Sequence, residues 1–289
     1  MSQPPPEVFQ LPPKRVSGPS MLDLVRLSRE VVFPPGGQAL FRRIATLVEM
    51  HEGMEVLDAA CGRGVSTSFL AQNYGCACVG VDPDQSLVSE AERRARDADL
   101  QGRLSFDTAA LDDLPFRDGI FDVAIGELGL AGSADPARAV SELARVTKPM
   151  GVVCLLQLTW SSEITSGARE LLVERLGLRP HLLVEWKQML RDAGVVEIQV
   201  QDWTSGGPAS TGRNTGSARA IAEPPQLTWQ QKAQILGRTW RRWGWRAGAL
   251  RAGRGAVERE AALLRELSRE RAIGFQLIKG VKWPHAKGA

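Results

Sequence analysis

Short apolar runs alternate with amphipathic stretches along much of the chain. Runs at 55–58, 76–82, 104–108, 121–126 and 152–159 predict five strands. The 121–126 run is apolar almost throughout, as in a parallel strand buried on both faces. Between the runs the apolar spacing changes to that of a helix. Leu40, Ile44 and Leu47 share one face of a predicted helix at 39–52. Residues 65–74 form a second. Leu87, Ala91, Ala95 and Ala98 line a third at 83–100, with Glu90, Glu92, Arg93, Arg94 and Arg96 mostly towards solvent. Asp135 and Pro136 open a fourth as cap and first helical residue, with Ala139, Leu143 and Val146 facing inward. Strands alternating with helices imply right-handed crossovers and a parallel sheet covered on both faces. The fold class expected is a doubly wound α/β sheet, seven-stranded and mainly parallel.

The C-terminal part is less regular. Short helices are expected around 168–176 and at 182–193, the latter closed by Gly194, then a sixth strand at 195–203. A last strand fits 273–279. About seventy residues separate these two, whereas hairpin connections are usually about 2 to 5. This divides the chain into a flexible Pro-rich lead at 1–19, an α/β domain at 20–204 and 272–289 that begins with a helix at 20–32, and an insertion at 205–271. The insertion opens with a Gly/Ser/Pro-rich loop and continues as two helices. Trp229, Ala233, Leu236, Trp240 and Trp243 make one stripe of the first, with Arg238, Arg242 and Arg246 roughly opposite. Two readings stay open: a helix packed on the domain, or a mobile cover over an acceptor pocket whose arginines meet an acidic acceptor, an acidic partner or a membrane surface.

Composition excludes several classes. A chain of 289 residues, 43% hydrophobic and 24% charged, can bury a full core. A net charge of +3 does not by itself point to nucleic acid, and none is expected as partner. No apolar run reaches membrane-spanning length. Cys61, Cys76, Cys78 and Cys154 lack metal-ligand spacing, so neither a metal site nor a disulfide framework is expected, and a cytoplasmic setting is the simplest reading. The pattern leaves the oligomeric state open.

The chemistry concentrates where the first strand ends. Asp58 is followed by Ala59, Ala60, Cys61, Gly62, Arg63 and Gly64, and a helix starts at once. Strand, glycine loop and helix N-terminus present backbone N–H groups to a ligand. A dinucleotide loop would have a third glycine where Thr67 stands. A carboxylate at the mouth of the loop repels a diphosphate but suits an ammonium group. Asp82, at the tip of the second strand, can accept from two ribose hydroxyls. A nucleoside at one end, an ammonium at the other and no diphosphate describe S-adenosylmethionine.

Four segments, VLDAACGRG at 56–64, VGVD at 79–82, LPFRDGIFD at 114–122 and ELARVTKPMG at 142–151, resemble in order and spacing the class I S-adenosylmethionine-dependent methyltransferases. The resemblance covers roughly residues 37–160. It implies that the cofactor lies along Asp58, Ala59, Ala60, Cys61, Gly62 and Gly64, then Asp82, Pro83 and Leu87, and reaches Gly126 and Glu127. The family usually has glycine where Ala60 and Met150 stand. It often has an acid at the place of Ala110, so adenine recognition is expected to rest on backbone groups of Ala110 and Leu111, with Asp112 near.

Methyl transfer from a sulfonium needs alignment and a dry pocket, not a nucleophilic residue. A general base helps when the acceptor must lose a proton. Glu127, past the fourth strand, and His181, before the helix at 182–193, are the candidate catalytic residues, each weighed against a capping or packing role. Trp160 is either a wall for a planar acceptor or core. The leading expectation is a methyltransferase acting on a small-molecule acceptor. A cofactor-binding protein without transfer, whose insertion docks a partner, and an RNA or protein methyltransferase are the alternatives.

Overall fold

The apolar runs form strands because, in a parallel sheet covered on both faces, every side chain of a central strand must be apolar or hydrogen-bonded. The computed structural model describes residues 36–160, 164, 169–170, 173, 179–204 and 273–284. In chain order these form α1 (Gly37–Leu47), β1 (Glu55–Ala59), α2 (Val65–Tyr74), β2 (Ala77–Asp82), α3 (Gln85–Asp97), β3 (Leu104–Thr108), β4 (Phe121–Gly126), a 3-10 turn (Leu128–Gly132), α4 (Pro136–Val146), β5 (Thr147–Trp160), β6 (His181–Leu182), α5 (Leu183–Asp192), β7 (Val195–Asp202) and β8 (Ile273–Lys282). The expected lead at 1–19, the helix at 20–32 and the insertion at 205–271, with its Trp and Arg stripes, lie outside the described residues. Of the helix expected at 168–176, Arg169, Glu170 and Val173 are described, and they are helical.

The sheet runs β3-β2-β1-β4-β5-β8-β7. Strands β1 to β5 pair in parallel, and β8 lies antiparallel between β5 and β7. This is the doubly wound, mainly parallel sheet expected. Its core has two halves. On one face α1, α2 and α3 pack Phe41, Ile44, Leu70, Val88 and Ala91 against Val56 and Ile125. On the other, α4 and α5 pack Leu143, Val146, Trp186 and Leu190 against Leu57, Ala124 and Leu155.

Three local features depart from the sequence expectation. Helix α1 stops at Leu47 rather than residue 52. Glu49 turns left-handed (φ 52), Glu49 N–H donates to Thr46, and Met50 N–H donates to Ala45. Helix α3 ends likewise at Asp97: Asp99 has φ 56, and Leu100 N–H donates to Ala95. Both are Schellman ends built without the usual glycine, which is why no sequence signal marked them. The third feature is β6, a two-residue strand absent from the sequence reading. It pairs with Thr159 and Trp160 of β5. Since β8 follows the other edge of β5 along its length, β6 takes up β5's first edge beyond the point where β4 leaves it at Gly126.

The connection between β7 and β8 begins and ends at one place. Trp203 N–H donates to Phe275 O at 2.8 Å, and Thr204 Oγ1 accepts from Phe275 N–H at 2.9 Å. Ile273 pairs with Trp160 at the end of β5. Both stems therefore sit at the edge of the sheet where the parallel strands end.

Met150, where the resembling family has glycine, adopts φ 64 and is 59% exposed. A left-handed non-glycine residue costs about 1 to 2 kcal/mol, partly offset because glycine loses more freedom on folding. Met150→Gly is therefore expected to stabilise the protein by up to about 1 kcal/mol, a rise of about 2 to 4 °C in melting temperature. An unchanged or lower melting temperature in a scanning-calorimetry comparison would contradict this account.

Candidate functional site

Parallel strands leave their C-terminal ends on one edge, and helix N-termini return to that edge. In β1, alternation turns Val56 and Asp58 towards α2, and Leu57 and Ala59 towards α4. Asp58 is fully buried. Its Oδ2 accepts from Ser66 Oγ at 2.9 Å and from Thr67 Oγ1 at 2.6 Å, both in the first turn of α2. Ser66 Oγ also hydrogen-bonds Glu127 Oε1. Asp58 Oδ1 has no hydrogen-bond partner among the described residues.

Ala60, Gly62 and Gly64 all have positive φ, at 62°, 55° and 64°. A Cβ on Gly62 would meet nothing within 4 Å, so the loop opens onto free space there. At Gly64 it would lie 2.6 Å from the Phe106 ring. Gly64 therefore lets α2 lie close on β2 and β3, a packing role rather than ligand approach. Ala60 is matched by Gly129, whose added Cβ would sit 2.8 Å from the Ala60 methyl. The 3-10 turn after β4 thus lies directly on the loop.

Asp82 ends β2 and is buried. Its Oδ2 accepts from Gly62 N–H at 3.0 Å, and Oδ1 from Asp84 N–H at 2.9 Å. Asp82 so braces the loop and the start of α3, whose cap is Asp84. Pro83 is exposed beside it, and Leu87 is buried in the first turn of α3. After β3, Ala110 is exposed and Leu111 buried. Helix α4 holds this loop: Arg138 donates to Asp112 O at 2.8 Å, and Leu114 N–H donates to Glu142 Oε2 at 2.8 Å. Arg145 binds Glu142, Asp118 and the carbonyls of Leu114 and Phe116.

Gly126 was expected to let a ligand approach. The space its side chain would fill is occupied by Leu130, Leu143 and Leu155, at 2.9 to 3.1 Å from an added Cβ, so on that face the glycine serves packing. Glu127 is buried, and its N–H donates to Ala59 O at 2.9 Å. Gln157 on β5, fully buried, donates to the carbonyls of Gly126 and Glu127 at 3.1 and 2.8 Å. The strand-end turn is thereby fixed from the neighbouring strand.

His181 lies elsewhere. It pairs with Thr159, four residues beyond the Leu155–Gly126 pair, about 13 Å further along the strand direction. Its ring meets Trp186 edge-on at 5.0 Å, and Nδ1 is 3.5 Å from Glu185 Oε2. Trp160 is buried in the core on the α1 to α3 face.

The electrostatics follow from burial. Desolvation pushes Asp58 up to about 6, although the Thr67 and Ser66 hydroxyls pull the other way. Desolvation and the Asp58 charge hold Glu127 well above its ordinary value. Burial, then the same acids, raise the Cys61 thiol, which is no thiolate here. Among the described residues no group of three His, Cys, Asp or Glu could hold a metal ion, and no helix is long and apolar enough to cross a membrane. The site therefore has an acid at the tip of β2, a buried acid pair at the ends of β1 and β4, and an open loop between.

The sequence reading gathered Asp58, Ala59, Ala60, Cys61, Gly62, Gly64, Asp82, Gly126 and Glu127 at one edge, and the structure places them there. It did not assign Ser66, Thr67 or Gln157 to the site. The small polar residues following the loop were a signal for the first two. Nothing local marked Gln157, which reaches the site across a strand pairing.

Comparison with known proteins agrees with this geometry. Residues 57–155 match the family described as "Methyltransferase domain". The chain is 32% identical over 151 residues to a chloroplastic tocopherol O-methyltransferase of Arabidopsis thaliana, covering 52% of this chain and 40% of that protein. It is 26% identical over 162 residues to a sarcosine/dimethylglycine N-methyltransferase of Halorhodospira halochloris, covering 55% and 57%. The chain spans less than two thirds of the length of either. A putative sarcosine dimethylglycine methyltransferase from Galdieria sulphuraria shares the fold, with TM-score 0.64 and 14% identity over 85% of this chain and 84% of that one.

The acid pair works against the fold. An acid held above its unfolded value stabilises below that value, and the stability is lost as pH rises through the raised one. Above about 4.5, the ordinary glutamate value, the protein loses up to about 1.4 kcal/mol per pH unit through Glu127. Glu127→Gln removes that loss. The variant should melt higher than the parent at pH 8, with a smaller gap or none at pH 5. An equal gap at both pH values would mean that Glu127 carries no raised proton affinity.

Proposed function

We propose that this chain, which carries a domain of the class I S-adenosylmethionine-dependent methyltransferase family, transfers a methyl group to a small-molecule acceptor. The observation that carries the reading is the pair of unlike acid sites on either side of the open Gly62 loop. One is Asp82 at the tip of β2. The other is buried Asp58, whose Oδ1 has no partner among the described residues, hydrogen-bonded through Ser66 to Glu127.

These residues fit S-adenosylmethionine. Asp82 would take the ribose hydroxyls, since each carboxylate oxygen accepts further bonds beyond the one from the backbone. Asp58 and Glu127 would hold the ammonium of the amino-acid end. The first turn of α2 adds its backbone dipole. Leu87, with the backbone of Ala110 and Leu111, would border the adenine. Bound there, the cofactor supplies an electrophilic methyl group. The protein's part is to align the acceptor with it and to exclude water. Glu127, joined to Ser66 and Asp58, is read as a cofactor contact rather than a base. His181, set against Glu185 and Trp186, is read as part of the wall beyond β4.

A small acceptor is supported by the relatives named for tocopherol and for sarcosine or dimethylglycine. The stems of the β7–β8 connection, at Thr204 and Ile273, stand at the same edge as these acids.

Two measurements test the reading. Asp82→Ala removes charge-assisted bonds, of which one alone is worth about 1.5 to 3 kcal/mol, so S-adenosylhomocysteine should bind at least about 10-fold more weakly by calorimetry. A melting curve should accompany it, since Asp82 also braces Gly62. Unchanged affinity in a folded variant would remove Asp82 from the site. Incubation with S-adenosylmethionine and a panel of small amines, phenols and carboxylates should release S-adenosylhomocysteine with at least one class. Tight binding with no product from any class would favour a binding protein instead.

A further inference from the structure

Asp58, Ser66 and Glu127 form one hydrogen-bonded unit, and counting its protons leads past the cofactor reading on which the argument rests. Ser66 Oγ stands 2.9 Å from Asp58 Oδ2 and also hydrogen-bonds Glu127 Oε1. A serine hydroxyl carries one proton and can donate to one acid oxygen only. At the second contact the acid itself must donate. The Thr67 hydroxyl, 2.6 Å from Asp58 Oδ2, is directed at Asp58 and cannot supply that proton. Both contacts are satisfied when one of the two carboxyls carries a proton.

The surroundings keep it so. The groups facing the pair are Ser66 and Thr67 from α2, Cys61 from the loop, Asp82 from β2, and each acid from the other strand. The charges among them are negative. Burial raises both acids; the Asp58 charge adds to it at Glu127 and the Asp82 charge at Asp58, so the proton is held near neutral pH. Meanwhile Asp58 Oδ1, in a fully buried side chain, has no partner among the described residues.

We propose that this unit is a proton-for-cation exchange site: the ammonium of the cofactor's amino-acid end replaces the proton shared by Asp58 and Glu127. The carboxyl O–H bond breaks, its electron pair stays on the carboxylate, and the proton passes to solvent. Ser66 then donates to one carboxylate, and the ammonium pairs with the other and with Asp58 Oδ1. No covalent bond to the ligand forms. The site so selects organic cations, and a neutral nucleoside displaces no proton. Where the pair holds its proton, binding must expel it, and affinity falls about tenfold for each pH unit lowered.

The full-length chain is titrated with S-adenosylhomocysteine at pH 7 in two buffers of different ionisation enthalpy. About one proton released per ligand is expected, with affinity weakening about tenfold per unit between pH 7 and pH 6. 5′-Methylthioadenosine, which lacks the amino-acid end, should bind without proton release and with flat pH dependence. Glu127→Gln keeps a partner for Ser66 but has no proton to lose, so its release with S-adenosylhomocysteine should fall near zero. Unchanged 5′-methylthioadenosine affinity in that variant shows that its site is folded. Proton-neutral, pH-flat binding of S-adenosylhomocysteine to the parent protein overturns the exchange and leaves the cofactor reading standing. So does full release in Glu127→Gln. Failure of both ligands to bind overturns the exchange and the cofactor reading together.

Discussion

Everything at the site depends on how closely α2 lies on the sheet, and one aromatic ring sets that distance. Phe106 of β3 fits between two glycines. A Cβ on Gly64 would come within 2.6 Å of its ring, and one on Gly80 within 2.5 Å. With both positions bare, the ring fills the gap between helix and sheet, and the first turn of α2 comes down over the end of β1. The Ser66 and Thr67 hydroxyls then reach the Asp58 carboxylate. A helix lifted by the width of one methyl group would leave a fully buried carboxylate without its hydroxyl partners, a penalty larger than most single contacts contribute.

That closeness creates the conflict the site contains. Two acids meet in a dry place with no basic group hydrogen-bonded to either among the described contacts. Folding would favour neutral residues there, and proteins retain such arrangements where binding or chemistry uses them. The rest of the molecule holds the pair rigid. Gln157 clamps the carbonyls after β4, Asp82 ties Gly62, and the Glu142–Arg145 pair fixes the loop that follows β3. Of these clamps Asp82 also acts on the acids' protonation, because its own negative charge raises both.

The sequence disclosed the sheet through period and punctuation. Apolar runs marked β1 to β5, β7 and β8, and Asp135 with Pro136 marked the start of α4. It missed what local signals do not encode. The early ends of α1 and α3 use Glu49 and Asp99 in a glycine-type conformation, and β6 exists through its pairing with Thr159 and Trp160. At the site Asp58, Asp82 and Glu127 were legible because strand ends in a parallel sheet converge. The roles of individual glycines were not. Gly126 and Gly64 suggested room for a ligand, but the neighbours that fill those spaces, Leu130, Leu143, Leu155 and the Phe106 ring, come from other elements.

The sequence by itself determined the alternation of strands and helices, the strand ends that carry the acids, and the kind of ligand that two unlike acids around an open loop would suit. Those follow from period, handedness and chemical type, which are local or nearly so. Tertiary structure alone decided that Ser66 stands between Asp58 and Glu127, that Gln157 fixes the turn beside them, and that His181 lies beyond β4 against Trp186. Each of these depends on a contact between residues far apart in sequence, and on distances that burial and packing set to within a few tenths of an ångström.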